Sequence, residues 1–279
     1  MKKVVLANSG GLDTTFCALH LTKDLGYEVH AAIVNTGGFS SEELKTIEER
    51  AKTLGVSSFT ILDVVDYYYE SVIKYLVFGN VLKNATYPLS VSAERIVQAK
   101  SLAEYAKSIG AKAVAHGSTG AGNDQVRFDM IFQTLIPGIE IITPIRDLKL
   151  SREAEIEYLN NHGVEYSAEK AKYSINKGLW GTSVGGAETL TSNQYLPESA
   201  WPTPVTSTEP RQITIDFEKG EPVALNGEKI GAVKVIQELQ AIAQPYGIGR
   251  DIHVGDTIIG IKGRVGFEAA ASVILIKAH

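Results

Sequence analysis

Short apolar runs alternating with helical patterns over the first 165 residues predict an α/β fold, with a parallel sheet flanked by helices. Two further observations support this. A Ser9-Gly10-Gly11 turn separates the first apolar run from the first helical pattern, and the texture changes after about residue 165. Beyond it, Ser174 to Ser192 is rich in Gly, Ser and Thr with no sustained period, and the chain then turns strand-like. The expected division is 1–165 and 166–279, the second unit being α+β. A chain of 279 residues fits one large or two moderate domains at roughly 150 residues each.

In chain order, Val4–Ala7 reads as a buried strand, followed by a helix carrying Leu12, Phe16 and Leu19 on one side. Val29–Val34 is a second strand. Ser40 with Glu43 forms a capping-box signature opening a charged helix that ends at Gly55. Phe59–Leu62 is a strand and Tyr67–Phe78 a helix, with Tyr67, Tyr68 and Tyr69 as a half-buried face. Ser92 is expected to cap a helix running to Ile109, with Ile96, Ala99, Leu102, Ala103 and Ala106 inward and Gly110 closing it. Ala113–Ala115 and Ile139–Ile142 are strands with the helix Gln125–Thr134 between them, and Ser151 caps a helix closing at Gly163. Glu198–Pro210 holds three prolines and reads as an extended connection. Two strands joined through Asn226-Gly227 make a hairpin, Val233–Tyr246 is helical, and Thr257–Lys262 and Val265–Lys277 are expected strands.

Composition narrows the function. Hydrophobic residues make up 44% and charged ones 21%, which excludes a disordered or collagen-like chain. Twenty-seven basic against 32 acidic residues give a net charge of −5, and no basic block is present, which disfavours nucleic acid as a partner. No run approaches the ~18 apolar residues of a membrane span, and the N-terminal apolar run is too short for a signal peptide. A soluble, cytoplasmic protein is expected. Cys17 is the one cysteine, so neither an internal disulfide nor a multi-Cys zinc site is expected, and its thiol reads as core packing. The histidines form no ligand-spaced cluster, so no protein-bound structural metal is expected.

The sharpest local feature is Ala7-Asn8-Ser9-Gly10-Gly11-Leu12-Asp13-Thr14-Thr15, between the first strand and the first helix. Its glycines let successive N–H groups converge, the helix N-terminus adds its positive dipole end, and Ser9, Thr14 and Thr15 supply hydroxyls. Together these suit a polyphosphate. No Gly-Lys-Ser/Thr ending and no G-x-G-x-x-G fingerprint are present. The stretch resembles the SGGxDS/T loop of the N-type ATP pyrophosphatases, which cleave ATP between the α and β phosphates.

Four more stretches carry polar groups at strand ends. Tyr87-Pro88-Leu89-Ser90-Val91-Ser92 leads into a helix. His116-Gly117-Ser118-Thr119-Gly120-Ala121-Gly122-Asn123-Asp124-Gln125-Val126-Arg127-Phe128 follows a buried strand, where open α/β sheets place ligands. In it Asn123 and Arg127 share a helix face, and His116 either touches a phosphate or caps the strand. Tyr173 to Ser183 pairs serines around Trp180, and Gly260 to Arg264 falls in a late strand pair.

In this order and spacing, from Val4 to about Phe267, the motifs are similar to those of the argininosuccinate synthase family. That resemblance implies an enzyme joining citrulline to aspartate with ATP through a citrullyl-AMP intermediate, releasing AMP and pyrophosphate. It implies a nucleotide-binding domain followed by a synthetase domain, and a homo-oligomer, usually a tetramer with a C-terminal tail. The loop Ala7–Thr15 (Ala7, Asn8, Ser9, Gly10, Gly11, Leu12, Asp13, Thr14, Thr15), with backbone at Val34 and Gly117, would hold ATP and its Mg²⁺. Thr119, Asn123 and Asp124 would hold aspartate, with Asp124 orienting the amine and taking its proton. Tyr87, Ser92, Asn123, Arg127, Ser174 and Ser183 would line the citrulline pocket.

Two departures stand out. Gly255 replaces a glutamate common in the family and Phe267 a tyrosine, both at the amino-acid end of citrulline. Either Asp256 or Glu268 fills that role after a small shift, or the true acceptor is an N-acylated citrulline whose amine is masked. Two other classes compete: a tRNA thiolation enzyme, which would need paired cysteines and a basic surface, and a non-catalytic ATP-binding fragment. The fragment reading rests on the absent tail and on an expected terminal strand with an unpaired edge.

Overall fold

The structure, a computed structural model, describes every residue except 121, 167–171 and 258–259. Among the described residues, strands β1 (Lys3–Ala7), β2 (Glu28–Asn35), β3 (Ser58–Asp63), β4 (Ala113–Ala115) and β5 (Glu140–Ile142) form a parallel sheet in the order β3-β2-β1-β4-β5. Helices α1 (Leu12–Lys23) and α2 (Ser41–Thr53) lie between the first strands. Next come α3 (Val65–Tyr68) and α4 (Lys74–Phe78), joined by a π-helical turn over Tyr69–Ile73. Then follow α5 (Glu94–Ser108), α6 (Asp124–Leu135), α7 (Pro144–Asp147) and α8 (Arg152–Asn161). One face of the sheet is sealed by Leu12, Phe16, Leu19 and Leu159 from α1 and α8, the other by Ala99, Leu102, Ala106, Phe128 and Phe132 from α5 and α6. Strand order reverses between β1 and β4, so the loops after these two strands flank the crevice where such sheets hold ligands. These are the two Gly-rich loops singled out from the sequence.

The later chain forms antiparallel sheets. Strands β6 (Ser174–Gly178), β7 (Gly181–Gly185), β11 (Arg250–Thr257) and β12 (Gly260–Glu268) order as β11-β12-β7-β6. Strands β8 (Ile215–Glu218), β9 (Glu221–Leu225) and β10 (Glu228–Lys229) form a meander, and α9 (Ala232–Ala243) and α10 (Ala270–Ala278) complete the unit. The β9–β10 turn sits on Asn226 (φ 51°) and Gly227 (φ 82°), the two positive φ values a tight hairpin demands. A core of Trp180, Leu225, Val235, Ile236, Leu239 and Leu275 continues onto Tyr68, Tyr69 and Ile73, so the two sets of sheets share packing. No helix among the described residues is long and apolar enough to cross a membrane.

Several expectations change. Val265–Lys277 is not one strand: β12 ends at Glu268 and α10 takes the rest, buried along Ala270, Ala271, Ser272, Leu275 and Ile276. A short apolar run fits strand or buried helix equally, and here Ala-Ala-Ala-Ser leads it into a helix. The terminal element therefore presents no strand edge. Thr257–Lys262 likewise straddles two strands, β11 and β12. The hairpin β6–β7 had no sequence period because its strands carry Gly and Ser rather than alternating apolar residues. Ser92 does not cap α5: the N-cap is Ala93, in helical conformation, and the Ser92 hydroxyl is buried without a hydrogen-bond partner. The Ser40/Glu43 capping box and the Ser151 cap form as expected. Of the tyrosine run, Tyr68 and Tyr69 are buried and Tyr67 is exposed.

Candidate active site

The phosphate loop is a strand-to-helix turn whose donors are satisfied from within. The Gly10 N–H donates to Asn8 Oδ1 (2.7 Å), the Gly11 N–H to Ser9 Oγ (3.4 Å) and the Ser9 N–H to Thr14 Oγ1 (3.3 Å). Thr15 Oγ1 donates to the Gly11 carbonyl at 2.7 Å. Side-chain oxygens of Asn8, Ser9 and Thr14 thus accept the N–H groups of the turn. Gly10 has φ +72° and a Cβ there would lie 2.6 Å from Ile47 Cγ1, so glycine is required for both backbone and space. A cleft of about 420 Å³ opens beside Ser9, Gly10 and Gly11, walled by Phe39, Glu42, Glu43, Thr46 and Ile47.

Leu12, Asp13, Thr14 and Thr15 form the first turn of α1, Ala7 ends β1, and Val34 is buried near the end of neighbouring β2. Gly117, after β4, approaches so closely that a Cβ would sit 3.0 Å from Asp13 Cβ. Glu155 of α8 is buried and hydrogen-bonds Asp13. Burial first, then the charge of Asp13 and that bond, push its carboxyl well above the usual range. Burial likewise pushes the Cys17 thiol far up, with Asp13 and Glu155 adding to it. His116 is a strut, not an open phosphate ligand. Its Nδ1 accepts from the Ser118 N–H (3.2 Å), its Nε2 pairs with Asp129 Oδ1 (2.9 Å), and its ring stacks on Phe128.

The second cluster is assembled from distant segments. Arg95, at the start of α5, is buried and has acceptors on every side. Its Nε donates to Asp124 Oδ2 (3.1 Å), its Nη1 to Glu94 Oε1 (2.9 Å) and Gln98 Oε1 (2.8 Å), and its Nη2 to Asn176 Oδ1 (2.7 Å). Arg127 Nη1 donates to Asp124 Oδ1 at 2.7 Å. Burial alone would raise the Asp124 carboxyl, but Arg95 and Arg127 outweigh it and hold it below the ordinary carboxylate range. Asn176 faces Ser183 across the β6–β7 pair, and Ser183 faces Phe267 across β7–β12. Phe267 packs on Tyr87 (centroids 5.2 Å apart), whose other neighbour, His253, is stacked at 4.0 Å and 8°. The Tyr87 hydroxyl accepts from the Val91 N–H (3.0 Å) and the Ser92 N–H (3.4 Å), fixing the turn before α5.

The expected residues Tyr87, Ser92, Asp124, Arg127 and Ser183 are therefore linked through direct contacts or strand register. Ser174 joins through Asn176 Nδ2 (3.5 Å), and Asn123 precedes Asp124 at the helix start. Thr119 is exposed in the loop between them, and Ala121 lies outside the described residues. Sequence reasoning missed Thr36, Glu94, Arg95 and Asn176. Charged Glu94-Arg95 on an otherwise inward-facing helix start was the available signal. Of the two substitutes expected for the missing glutamate, Glu268 is engaged elsewhere. It is fully buried and accepts from Arg250 Nε (3.0 Å), Thr203 Oγ1 (2.9 Å) and Gln244 Nε2 (3.3 Å). Alternation along β12 turns it away from the Phe267 face. The side chain of Asp256 lies outside the described residues.

Residues 3–165 match the arginosuccinate synthase N-terminal HUP domain and residues 173–279 the arginosuccinate synthase C-terminal domain. Argininosuccinate synthase of Methanocaldococcus jannaschii is 41% identical over 281 residues, covering 99% of this chain and 70% of the relative. The synthase of Dictyoglomus thermophilum is 41% identical over 283 residues, covering 100% and 70%. That of Pyrobaculum aerophilum is 38% identical over 281 residues, covering 99% and 70%. With the phosphate loop and the Asp124 cluster on either side of one sheet reversal, and this similarity along its whole length, the chain belongs to the argininosuccinate synthase family.

Proposed function

We propose that this enzyme ligates citrulline to aspartate at the expense of ATP, through a citrullyl-AMP intermediate, releasing AMP and pyrophosphate. The observation that carries the reading is the pair of sites: a loop of N–H donors at one strand end, and a carboxylate clamped by two guanidinium groups at the next. In this reading Ala7–Thr15, with Val34 and Gly117, receives ATP. Thr119, Asn123 and Asp124 receive aspartate, and Tyr87, Ser92, Asn123, Arg127, Ser174 and Ser183 receive citrulline.

The ureido oxygen of citrulline attacks the α-phosphorus, and pyrophosphate leaves towards the N–H groups and dipole end of α1, which stabilise its charge. The aspartate amine then attacks the activated ureido carbon and AMP leaves. Asp124 orients the amine as an anion. Held below the ordinary carboxylate range by Arg95 and Arg127, it is a poor base, so the proton leaves to phosphate oxygen or water. Among the described residues no cluster of three His, Cys, Asp or Glu side chains could hold a metal. A Mg²⁺ would arrive on the triphosphate, where it would neutralise phosphate charge. Division into a nucleotide-binding unit (1–165) and a synthetase unit (166–279), and work as a cytoplasmic homo-oligomer, tetrameric as the family resemblance implies, belong to the same proposal.

Steady-state pyrophosphate release that requires citrulline and aspartate together, with citrulline alone giving at most one equivalent per site, tests the reading. Release from ATP without either amino acid, or none with both, would count against it. One observation favours a second acceptor, an N-acylated citrulline: Tyr87 is bordered by the rings of His253 and Phe267 while Glu268 is committed to Arg250. Rates with citrulline, N-acetylcitrulline and N-succinylcitrulline compare the two, and faster use of the free amino acid rejects the acylated substrate.

A further inference from the structure

Glu94 is fully buried, beside the charged pair that grips Asp124. Its Oε2 accepts from Thr36 Oγ1 (2.9 Å) and its Oε1 from Arg95 Nη1 (2.9 Å). Thr36 follows the end of β2, and its carbonyl accepts from the Leu179 N–H (2.8 Å), so the loop beyond β2 is tied to the β6–β7 turn. Space for the carboxylate is made by Gly178, where a Cβ would overlap Glu94 Oε2. A buried carboxylate costs desolvation energy, and for stability alone an apolar side chain of like volume serves as well or better. An apolar side chain cannot orient a guanidinium. Arg95 is a planar fork whose edges are set by their acceptors, so a carboxylate on Nη1 fixes the direction in which Nε points.

We propose that Glu94 is a positioning residue for the ligation: it holds Arg95 from behind so that Nε meets Asp124, and through Thr36 it ties that geometry to the strand end beside the phosphate loop. The proposal rests on the reading of Asp124 as the carboxylate that orients aspartate. The charged and titratable groups facing Glu94 are Arg95, Asp124 and Tyr68. Burial pushes the Glu94 carboxyl up to about 7, against the opposing pull of Arg95 and Thr36. Above that pH both oxygens accept; below it one carries a proton and the grip on Arg95 loosens.

The test compares E94A, E94Q and G178A with the wild type in pyrophosphate release, varying each substrate in turn. In E94A the KM for aspartate rises about tenfold or more while the KM for ATP changes less than about twofold, the loss of a charge-assisted contact acting at one site. E94Q can still accept from Arg95, so it lies between, and the change in aspartate KM near pH 7 flattens. G178A displaces Oε2 without altering any charge and reproduces the aspartate defect. It adds little in combination with E94A, because both act through the placement of one carboxylate. An unchanged aspartate KM in all three variants, or an equal rise for all three substrates, overturns the proposal. So does a structure of E94A, or of G178A if E94A does not fold, in which Arg95 Nε still bonds Asp124. That structural readout is independent of turnover. Failure of the ligase reading shows instead in the wild type, as pyrophosphate release that ignores the amino acids.

Discussion

The Ala7–Thr15 loop and the Asp124 cluster both gather polar groups beyond the parallel sheet's strand ends, with opposite materials. Nine consecutive residues, Ala7–Thr15, make the loop, and it relies on backbone N–H groups, short hydroxyl side chains and a helix end. The cluster draws on α5, α6 and β6, and relies on formal charges gathered around one buried guanidinium, Arg95. Backbone dipoles oriented by a turn resist single side-chain changes but not changes of φ. Buried ions have the converse sensitivity, because removing one leaves its partner uncompensated.

The sharpest way to break this contrast is at Asp124. Asp124→Asn leaves the buried Arg95 and the half-buried Arg127 guanidinium groups facing an amide, and kcat/KM for aspartate is expected to fall by about 10²-fold or more with the KM for ATP nearly unchanged. Steady-state pyrophosphate release, varying each substrate, measures both. At the other site Gly10→Ala forces a side chain into φ +72° and against Ile47. The KM for ATP should rise about tenfold, and denaturant melts should show a loss of about 1–3 kcal/mol. Aspartate dependence at saturating ATP should be spared; a defect confined to aspartate would erase the distinction.

Smaller effects come from groups under the loop. Glu155 is raised by burial first and Asp13 second, so the folded state favours its protonated form. Its stabilising contribution is therefore present at acid pH, below the ordinary carboxylate value, and is lost as pH rises through the raised one. Melting temperatures of Glu155→Gln should gain on the wild type as pH rises from about 5 to 9, since glutamine mimics the protonated acid. A constant offset would mean that Glu155 does not titrate there. The least effect is expected at Cys17, fully buried and with its thiol pushed far up. A disulfide reagent at pH 8 should find no reactive thiol in the native protein and one after unfolding.

What could be read beforehand follows the same division. The loop was legible because strand, turn and helix are contiguous and each has its own local signal in Val4–Ala7, Gly10 and Leu12–Thr15. Tyr87, Asp124, Arg127 and Ser183 came from the family resemblance rather than from periodicity. Their partners Thr36, Glu94, Arg95 and Asn176 were not found, since adjacency between residues 36, 94, 124 and 176 exists only once β2, α5, α6 and β6 are packed. The helix α10 was misread for a related reason: Val273-Ile274-Leu275-Ile276 suits a strand locally, and packing beside α9 decides otherwise. Glu268 could be placed only with the sheet in hand, because the alternation of β12 determines which face it serves.

Transfer of the ureido oxygen is the most direct test of the account. With citrulline labelled with ¹⁸O in its ureido group, and with ATP and aspartate present, the AMP released should carry one ¹⁸O atom, because that oxygen attacks the α-phosphorus and leaves with the nucleotide. Unlabelled AMP formed alongside coupled product would contradict the citrullyl-AMP route.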